Sequence, residues 1–289
     1  MSAPAIPVPS DLHDSVARAL REDVGDGDAT AALVPADARA TATVSAKEAC
    51  VLCGIPFFDE AMRQLDPSTR VRWHVAEGDR ITAGTKLCTI DGLARSILTA
   101  ERVGINFLQT LSSTATSTRR YVDAIATVPG ARAKVIETRK TIPGLRLAQK
   151  YAVRVGGGTN NRIGLFDGIL IKENHIVAAG GIGPAMRKAL TSTAAAKSGM
   201  MIQIEVETLE QLDEAIAAGA KLILLDNFTT ERMTAAVQRT AGRAALEASG
   251  GINIDTIRAV AATGVDRISV GALTKDVKAI DLSMRFMPS

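Results

Sequence analysis

Short apolar runs alternate with helical stretches from about residue 115 onwards. In helical stretches such as LEQLDEAIAAG and NIDTIRAVAATG, apolar residues recur at three- and four-residue steps. Apolar strands that alternate with helices are typical of parallel βα units buried on both faces. The six apolar runs are Ala133 to Ile136, Gly168 to Ile171, Met201 to Val206, Lys221 to Leu225, Ala244 to Ala248, and Arg267 to Val270.

Six units are too few for a complete (β/α) barrel of eight, which usually needs roughly 250 residues. The region that carries them, residues 115–275, is much shorter. The pattern therefore predicts a six-stranded incomplete α/β barrel as one domain.

The first part of the chain follows a different pattern. A helix is predicted between Asp11 and Gly25, and an amphipathic helix over Leu93 to Leu111. Residues 40–91 alternate apolar and polar positions in short runs, which are typical of strands separated by glycine turns. We expect a sandwich-like N-terminal α/β domain over residues 1–114, joined by the C-terminal residues 276–289.

Composition fits two domains and limits the partners. With 289 residues, 46% of them hydrophobic, the chain can bury a large core. Lysine and arginine number 34 against 31 acidic residues, and one Trp, two Tyr and six Phe leave little for base stacking, so nucleic acid is not an expected partner. No secretory leader or membrane-spanning run is evident, which predicts a cytoplasmic protein. The cysteines, Cys50, Cys53 and Cys88, lack the spacing of a zinc site.

Every predicted barrel strand ends in a polar residue or glycine. Catalytic side chains of such barrels come from the carboxyl ends of the strands, which share one rim. The rim residues are Glu137 to Lys140, Lys172, Glu205 to Glu207, Asp226, Ser249 to Gly251, and Gly271. The presence of such residues at the ends of all six predicted strands predicts an enzyme with its active site on this rim.

Three kinds of chemistry are available there. Guanidinium groups bind carboxylates and phosphates bidentately, and lysine supplies a point charge. The cations are Arg139, Lys140, Arg162 and Lys172. Carboxylates such as Glu205 and Asp226 suit ribose hydroxyls, Mg²⁺ or a developing cation. Backbone N–H groups at helix N-termini suit phosphate, and the residues expected to supply them are Ser249, Gly250, Gly251 and Gly271.

Each group also has a purely structural interpretation. Glu205 or Asp226 would then pair with a lysine in a buried salt bridge, and the glycine run 156–158 would be a flexible connection. Three further cations in a helical stretch are interpreted as solvated. They are Arg146, Lys150 and Arg154.

Several longer motifs resemble one enzyme family. In chain order they are EDVGDGDAT, AERVGINFLQTLS, ETRKTIPGLR, QKYAVRVGGG, LIKENH, IEVETLEQLDEA, LLDNF, ASGG and ISVGALTK. The set is similar to that of quinolinate phosphoribosyltransferase, the nicotinate-nucleotide pyrophosphorylase of NAD synthesis. The resemblance implies an N-terminal α/β domain packed on a six-stranded α/β barrel. It also implies transfer of phosphoribose from phosphoribosyl pyrophosphate to quinolinate, with release of pyrophosphate and CO₂.

The resemblance implies that Arg102, Arg139 and Arg162 hold the carboxylates of quinolinate. Arg102 would do so from the partner subunit of a homodimer whose active sites are shared. Asn161 stands where the family usually has histidine. Asparagine can donate a neutral hydrogen bond but cannot become cationic, so diacid affinity or its pH dependence is expected to differ.

The resemblance also implies roles around the phosphoribosyl group. Lys140 and Lys172 would hold phosphates or the carboxylate edge, and Glu205 and Asp226 would flank the ribose and its Mg²⁺. The 5′-phosphate region would lie at Ser249, Gly250 and Gly271. Glu207 shares a strand face with Glu205, so the spacing within the strand does not choose between them.

Three other functions fit parts of the sequence. A related phosphoribosyltransferase would act on nicotinate or another pyridine acid, although two arginines favour a diacid. An aldolase-like barrel would use Lys172 as a Schiff-base nucleophile. A non-enzyme alternative is a biotinyl or lipoyl carrier module at residues 75–92 fused to a sensor barrel, but no MKM-like tripeptide marks a target lysine.

Overall fold

The computed structural model describes residues 6–192 and 200–288. The chain divides into two compact units. The first unit comprises Met1–Arg119, Thr141–Gly157 and Thr274–Ser289, and the second comprises Arg120–Lys140 and Gly158–Leu273.

Strands are frequent in the first part of the chain and alternate with helices in the second. The first α-helices and β-strands are α1 (Leu12–Val24), β1 (Arg39–Ala46), β2 (Cys50–Val51), α2 (Ile55–Leu65), β3 (Arg70–Trp73), β4 (Arg80–Ile81), β5 (Lys86–Leu93) and α3 (Ala94–Ala126). They are followed by β6 (Lys134–Ile136), α4 (Arg146–Val155), β7 (Gly168–Ile171), α5 (Glu173–Ala179), α6 (Ile182–Thr191), β8 (Met201–Val206) and α7 (Leu209–Ala217). The last are β9 (Leu222–Asp226), α8 (Thr230–Thr240), β10 (Ala245–Ser249), α9 (Ile257–Ala262), β11 (Arg267–Ser269), α10 (Ala272–Lys275) and β12 (Leu282–Phe286).

An antiparallel sheet forms the centre of the first unit, with strand order β12-β1-β5-β3. Ala42 lies opposite Phe286 on one side and Ile90 on the other, so the C-terminal strand completes the sheet next to β1. Alternate residues of β1 pack in a core that also contains Leu87, Cys88 and Ile90 of β5 and Leu282 of β12. The helix α2, which lies between the predicted strands and supplies the buried Phe57 and Phe58, was not predicted.

Two residues near α4 have structural roles that the sequence interpretation missed. Lys150, interpreted as solvated, is only 2% exposed, so that interpretation is wrong. Gly156 lies against α3, where a Cβ atom would stand 2.5 Å from the carbonyl oxygen of Ala115 and 2.7 Å from Cβ of Thr118. The glycine at this position therefore permits a close approach of two backbones rather than a flexible connection.

A six-stranded parallel sheet forms the second unit, with strand order β6-β11-β10-β9-β8-β7. Outward residues of its strands pack in one apolar core with α6, α7, α8 and α9. Residues on the other face are partly polar, including Glu205, Glu247 and Ser269. This division follows from the alternation of side chains along each strand.

Curvature of this sheet produces the incomplete barrel. Side chains from β7, β8, β9, β10 and β11 line one cavity together with residues that follow β6. The Arg267 guanidinium of β11 also reaches to 4.0 Å from Sδ of Met201 on β8, although two strands separate them in the sheet. The predicted fold, a small N-terminal domain with a six-stranded incomplete barrel, is confirmed. In the described part of the chain, no helix combines the length and apolar character that crossing a membrane requires.

Candidate active site

The cavity of the second unit has a volume of about 320 Å³ and contains most of the predicted site residues. The predicted residues that line it are Arg139, Lys140, Asn161, Arg162, Lys172, Glu205 and Ser249. They meet because the carboxyl ends of parallel strands lie at the same edge of the sheet. A cavity of about 370 Å³ in the first unit is lined by one cation, Arg18, and two acids, Glu22 and Asp23. The cavity of the second unit is therefore the better candidate for an anionic substrate.

Glu205 and Lys172 form an ion pair within the cavity. Nζ of Lys172 lies 3.1 Å from Oε2 and 3.5 Å from Oε1 of Glu205. The Lys172 backbone N–H donates to Nδ1 of His175 over 3.0 Å, so the first turn of α5 fixes the backbone from which the lysine extends. The structural interpretation of Glu205 as the partner of a lysine is therefore correct, although the Lys172 side chain is 49% exposed, and the ion pair does not remove the carboxylate from the cavity.

The Glu205 side chain is only 9% exposed. Burial raises its pKa above the usual value, and the charges of Asp226 and Glu173 act in the same direction, while Lys172 opposes them. Glu207 follows the end of β8 and is exposed, and its backbone N–H donates to Oε1 of Gln211 over 2.7 Å. Of the two glutamates left open by the sequence, the structure places Glu205 in the cavity.

Two guanidinium groups lie close together on the cationic side. Burial lowers the pKa of Arg162, the nearby charge of Arg139 lowers it further, and Asp167 opposes both effects. Nη1 of Arg162 donates to the carbonyl oxygen of Gly168 over 2.9 Å, which holds this side chain at the start of β7. Like charges held together in a partly buried place favour a ligand of opposite charge.

Asn161 lies between these arginines and a buried acid. Its backbone N–H donates to Oε1 of Glu137 over 3.1 Å, and its side-chain Oδ1 accepts from the Arg162 backbone N–H over 2.8 Å. Glu137 is fully buried at the end of β6. The segment that carries Asn161 and Arg162 is thus attached to the first barrel strand.

Asp226, Gly250 and Gly271 lie at strand ends beside the cavity but are not among its lining residues. Gly250 and Gly251 have positive φ values of 104° and 58° and follow β10 directly. The next helix, α9, begins only at Ile257, so the expectation that Ser249 to Gly251 open a helix is wrong. Gly271 does precede the short helix α10.

Arg102 lies on α3 in the first unit and does not line this cavity. Its side chain is 60% exposed, and its nearest acid is Glu101, at 3.9 Å. An exposed arginine in this position is available to another molecule. The role implied for it in a partner subunit stays a prediction.

Glu247 and Ser269 are cavity residues that the sequence interpretation missed. Glu247 is fully buried, accepts a short hydrogen bond from the Ser269 hydroxyl, and has Oε2 3.0 Å from Nε of Arg267. The segment ALEAS does indicate that Glu247 faces the cavity. Side chains alternate along a strand, so the apolar Leu246 and Ala248 lie on one face, and Glu247 and Ser249 lie on the other, inner face. The interpretation of Ala244 to Ala248 as a near-continuous apolar run does not use this alternation.

Comparison with known proteins identifies the family. The model described as the C-terminal domain of quinolinate phosphoribosyl transferase matches residues 114–285, and the N-terminal domain of the same family matches residues 28–112. The chain belongs to the quinolinate phosphoribosyltransferase family. The family and the enzyme class predicted from the sequence, a pentosyltransferase, are thereby confirmed.

Relatives resemble the chain along almost its whole length. Nicotinate-nucleotide pyrophosphorylase (carboxylating) of Mycobacterium leprae is 42% identical over 282 residues, which cover 94% of this chain and 96% of the relative. The probable enzyme of the same name from Bacillus subtilis is 41% identical over 263 residues, covering 91% of this chain and 89% of the relative. The solved structure of the nicotinate-nucleotide pyrophosphorylase from Francisella tularensis is 45% identical, has a TM-score of 0.92, and covers 99% of this chain and 100% of that one.

Proposed function

We propose that this protein transfers phosphoribose from phosphoribosyl pyrophosphate to quinolinate with decarboxylation. The products would be nicotinate mononucleotide, pyrophosphate and CO₂, in the synthesis of NAD. One observation carries the proposal: a single cavity holds a pair of guanidinium groups, two lysines and a buried glutamate. A substrate pair that combines a dianionic ring, a ribose and phosphates requires this combination.

The guanidinium groups would bind the two carboxylates of quinolinate. Arg139 and Arg162 are close enough for the charge of one to lower the pKa of the other, so a monoanion would neutralise only part of the local charge. A diacid fits better than nicotinate for this reason. Asn161 would add a neutral hydrogen bond beside them.

Glu205 and Asp226 would face the ribose and would hold Mg²⁺. The two carboxylates come from neighbouring strands, and the Asp226 charge raises the pKa of Glu205. No cluster of three or more metal-ligating side chains occurs in residues 6–192 and 200–288. This donor set fits Mg²⁺, which is commonly held by one or two carboxylates together with substrate phosphates. When bound, the ion would neutralise charge on the diphosphate.

The residues of the cavity would act through charge. The ring nitrogen of quinolinate would attack C1′ as the bond from C1′ to the diphosphate oxygen breaks, and pyrophosphate would leave with the electron pair. Glu205 and Asp226 would stabilise the cationic ribose, while Lys140 and Lys172 stabilise the departing phosphates. The ring carbon beside the cationic nitrogen would then lose CO₂, keep its electron pair, and take up a proton.

We also propose that the protein is a homodimer with shared sites. Arg102 is exposed in the first unit, and Leu165 and Phe166 of the second unit are 75% and 72% exposed. Large exposed apolar side chains mark surfaces that bind other proteins. Localisation in the cytoplasm stays a prediction of the sequence.

An assay of CO₂ release from quinolinate labelled at the carboxylate beside the ring nitrogen, with and without phosphoribosyl pyrophosphate and Mg²⁺, tests the activity. We expect release only when all three are present, with one pyrophosphate formed for each CO₂. Turnover of nicotinate in place of quinolinate would instead support the alternative pyridine acid. Borohydride trapping with a carbonyl substrate offers a separate check: we expect no covalent adduct on Lys172, whereas an adduct would support the Schiff-base alternative.

A further inference from the structure

The residue after Asp226 has an unusual backbone conformation. Asn227 has φ of +54°, and Ala241 is the other non-glycine residue with positive φ in the described part of the chain. Such conformations are disfavoured for residues with a Cβ atom, although asparagine tolerates them better than most. The conformation turns the chain sharply at the carboxyl end of β9.

The Asn227 side chain holds Asp226. Its Nδ2 donates to Oδ2 of Asp226 over 2.8 Å. This contact occupies one carboxylate oxygen and fixes the rotation of the group. Among residues 6–192 and 200–288, no hydrogen bond to the other oxygen, Oδ1, is made, so this oxygen can bind an external ligand.

Asn227 also contacts the end of the next strand. Its backbone N–H donates to the carbonyl oxygen of Ser249 over 3.0 Å. A Cβ atom on Gly250 would lie 2.9 Å from Cγ of Asn227 and 3.0 Å from its backbone nitrogen, and closer still to Oδ1. The residue at 250 is therefore glycine for two reasons, its φ of +104° and the adjacent Asn227 amide.

We propose that Asn227 is a positioning residue that orients Asp226 and the Ser249–Gly250 turn as one unit for binding the phosphoribosyl group. The proposal rests on the proposed function for the identity of the ligand. Asn227 acts through its neighbours rather than on the reacting atoms. Residues that orient a binding group in this way commonly contribute about 10- to 100-fold to affinity or activity.

The variant Asn227→Gly separates this role from backbone conformation. Glycine adopts positive φ more readily than asparagine, so a purely conformational role predicts an unchanged or more stable protein. If the amide positions Asp226, the dissociation constant for phosphoribosyl pyrophosphate with Mg²⁺ rises about tenfold or more. The dissociation constant for quinolinate stays within about twofold, because the Arg139 and Arg162 side is untouched.

Ala241→Gly is the matched control. It relieves a positive φ of +47° at the end of α8, away from the cavity residues. Calorimetric titration of both ligands should give wild-type affinities for this variant. Wild-type affinity of Asn227→Gly for phosphoribosyl pyrophosphate would overturn the positioning role while leaving the proposed function intact.

A second measurement does not depend on activity. Gly250→Ala should lower the midpoint of thermal unfolding of the wild-type protein more than it lowers the midpoint of the Asn227→Gly variant. The reason is that removing the Asn227 side chain frees the space that the new Cβ atom requires. Equal decreases in the two backgrounds would contradict the contact on which the inference rests. Failure of the wild-type protein to bind phosphoribosyl pyrophosphate would instead reject the proposed function. The comparison of unfolding midpoints would still decide whether Asn227 and Gly250 are coupled.

Discussion

The surroundings of Glu205 disfavour the ionised form of its side chain. Burial, Asp226 and Glu173 all raise its pKa, and Lys172 is the opposing influence. A carboxylate in such surroundings is poorly stabilised in the free enzyme, so a developing positive charge nearby would be strongly attracted to it. This property links the local electrostatics to the proposed chemistry.

Replacing Glu205 by glutamine tests its role in catalysis. Glu205→Gln keeps the size of the side chain but removes the charge that would face the ribose. We expect kcat to fall at least about a hundredfold, the usual scale for one transition-state charge partner. Glu207→Gln, two residues away and exposed, is the matched control and should retain wild-type kcat. Wild-type turnover by Glu205→Gln would remove this residue from the mechanism.

Glu205→Gln should make the folded protein more stable at neutral pH, although it lowers kcat. The folded-state pKa of Glu205 is raised, so ionisation of the buried group destabilises the folded protein at pH values above that pKa. At acid pH, below the unfolded-state pKa, the group is protonated in both states and the penalty disappears. Thermal unfolding should therefore show a higher midpoint for Glu205→Gln than for wild type at pH 7, and no such advantage near the acid limit. A lower midpoint at pH 7 would show that the Lys172 ion pair outweighs burial.

At the scale of elements, the barrel strands were predictable because each is a short apolar run followed by a polar residue or glycine. Gly168–Ile171 and Met201–Val206 agree with the predicted limits, and the other strands differ by one residue at one end or at both ends. Helices were predicted less well. The helix α3 continues to Ala126, beyond the predicted end at Leu111, because no proline or glycine interrupts residues 112–126.

Contacts between elements that are distant in sequence were beyond prediction. The glycine run 156–158 gave no indication that Gly156 packs on α3, and Lys150 follows the pattern of an exposed helix cation although it is buried. The Asn227 contact with Gly250 likewise joins two strand ends that are neighbours only in the folded sheet. Composition and periodicity identify the elements and the rim, whereas these contacts depend on how the elements pack.

The approach of α4 to α3 predicts a strong effect of a small substitution. Gly156→Ala would place Cβ 2.5 Å from the carbonyl oxygen of Ala115, which belongs to a helix backbone and cannot move freely. We expect a loss of about 1–3 kcal/mol in the free energy of unfolding, the usual cost of overpacking. Gly183→Ala, where the nearest atom would be the flexible end of Arg187 at 3.4 Å, is the control for adding a methyl group. Chemical denaturation of both variants measures the difference, and equal stability would show that the helices separate without cost.

At the scale of the whole molecule, the cavity and Arg102 raise the question of what completes the site. The cavity supplies Arg139 and Arg162 from the second unit, while Arg102 projects from the first unit with 60% of its side chain exposed. The sequence predicted a third arginine only through its resemblance to the family. Nothing in periodicity or charge pattern distinguishes an arginine that serves another subunit from an ordinary exposed one.

Subunit mixing tests the proposed shared site. Arg102→Ala and Glu205→Ala should each be nearly inactive, because one lacks a carboxylate-binding group and the other lacks a charge at the ribose. In the proposed dimer, each site combines Glu205 of one subunit with Arg102 of the other. One site of a mixed dimer would therefore contain both substitutions, and the other site would contain neither. Random exchange of equal amounts would make half of the dimers mixed, so activity should return to about a quarter of wild type. Mixing each variant with itself is the control. If tagged mixed dimers are isolated and remain inactive, Arg102 acts within its own chain and the shared site is rejected.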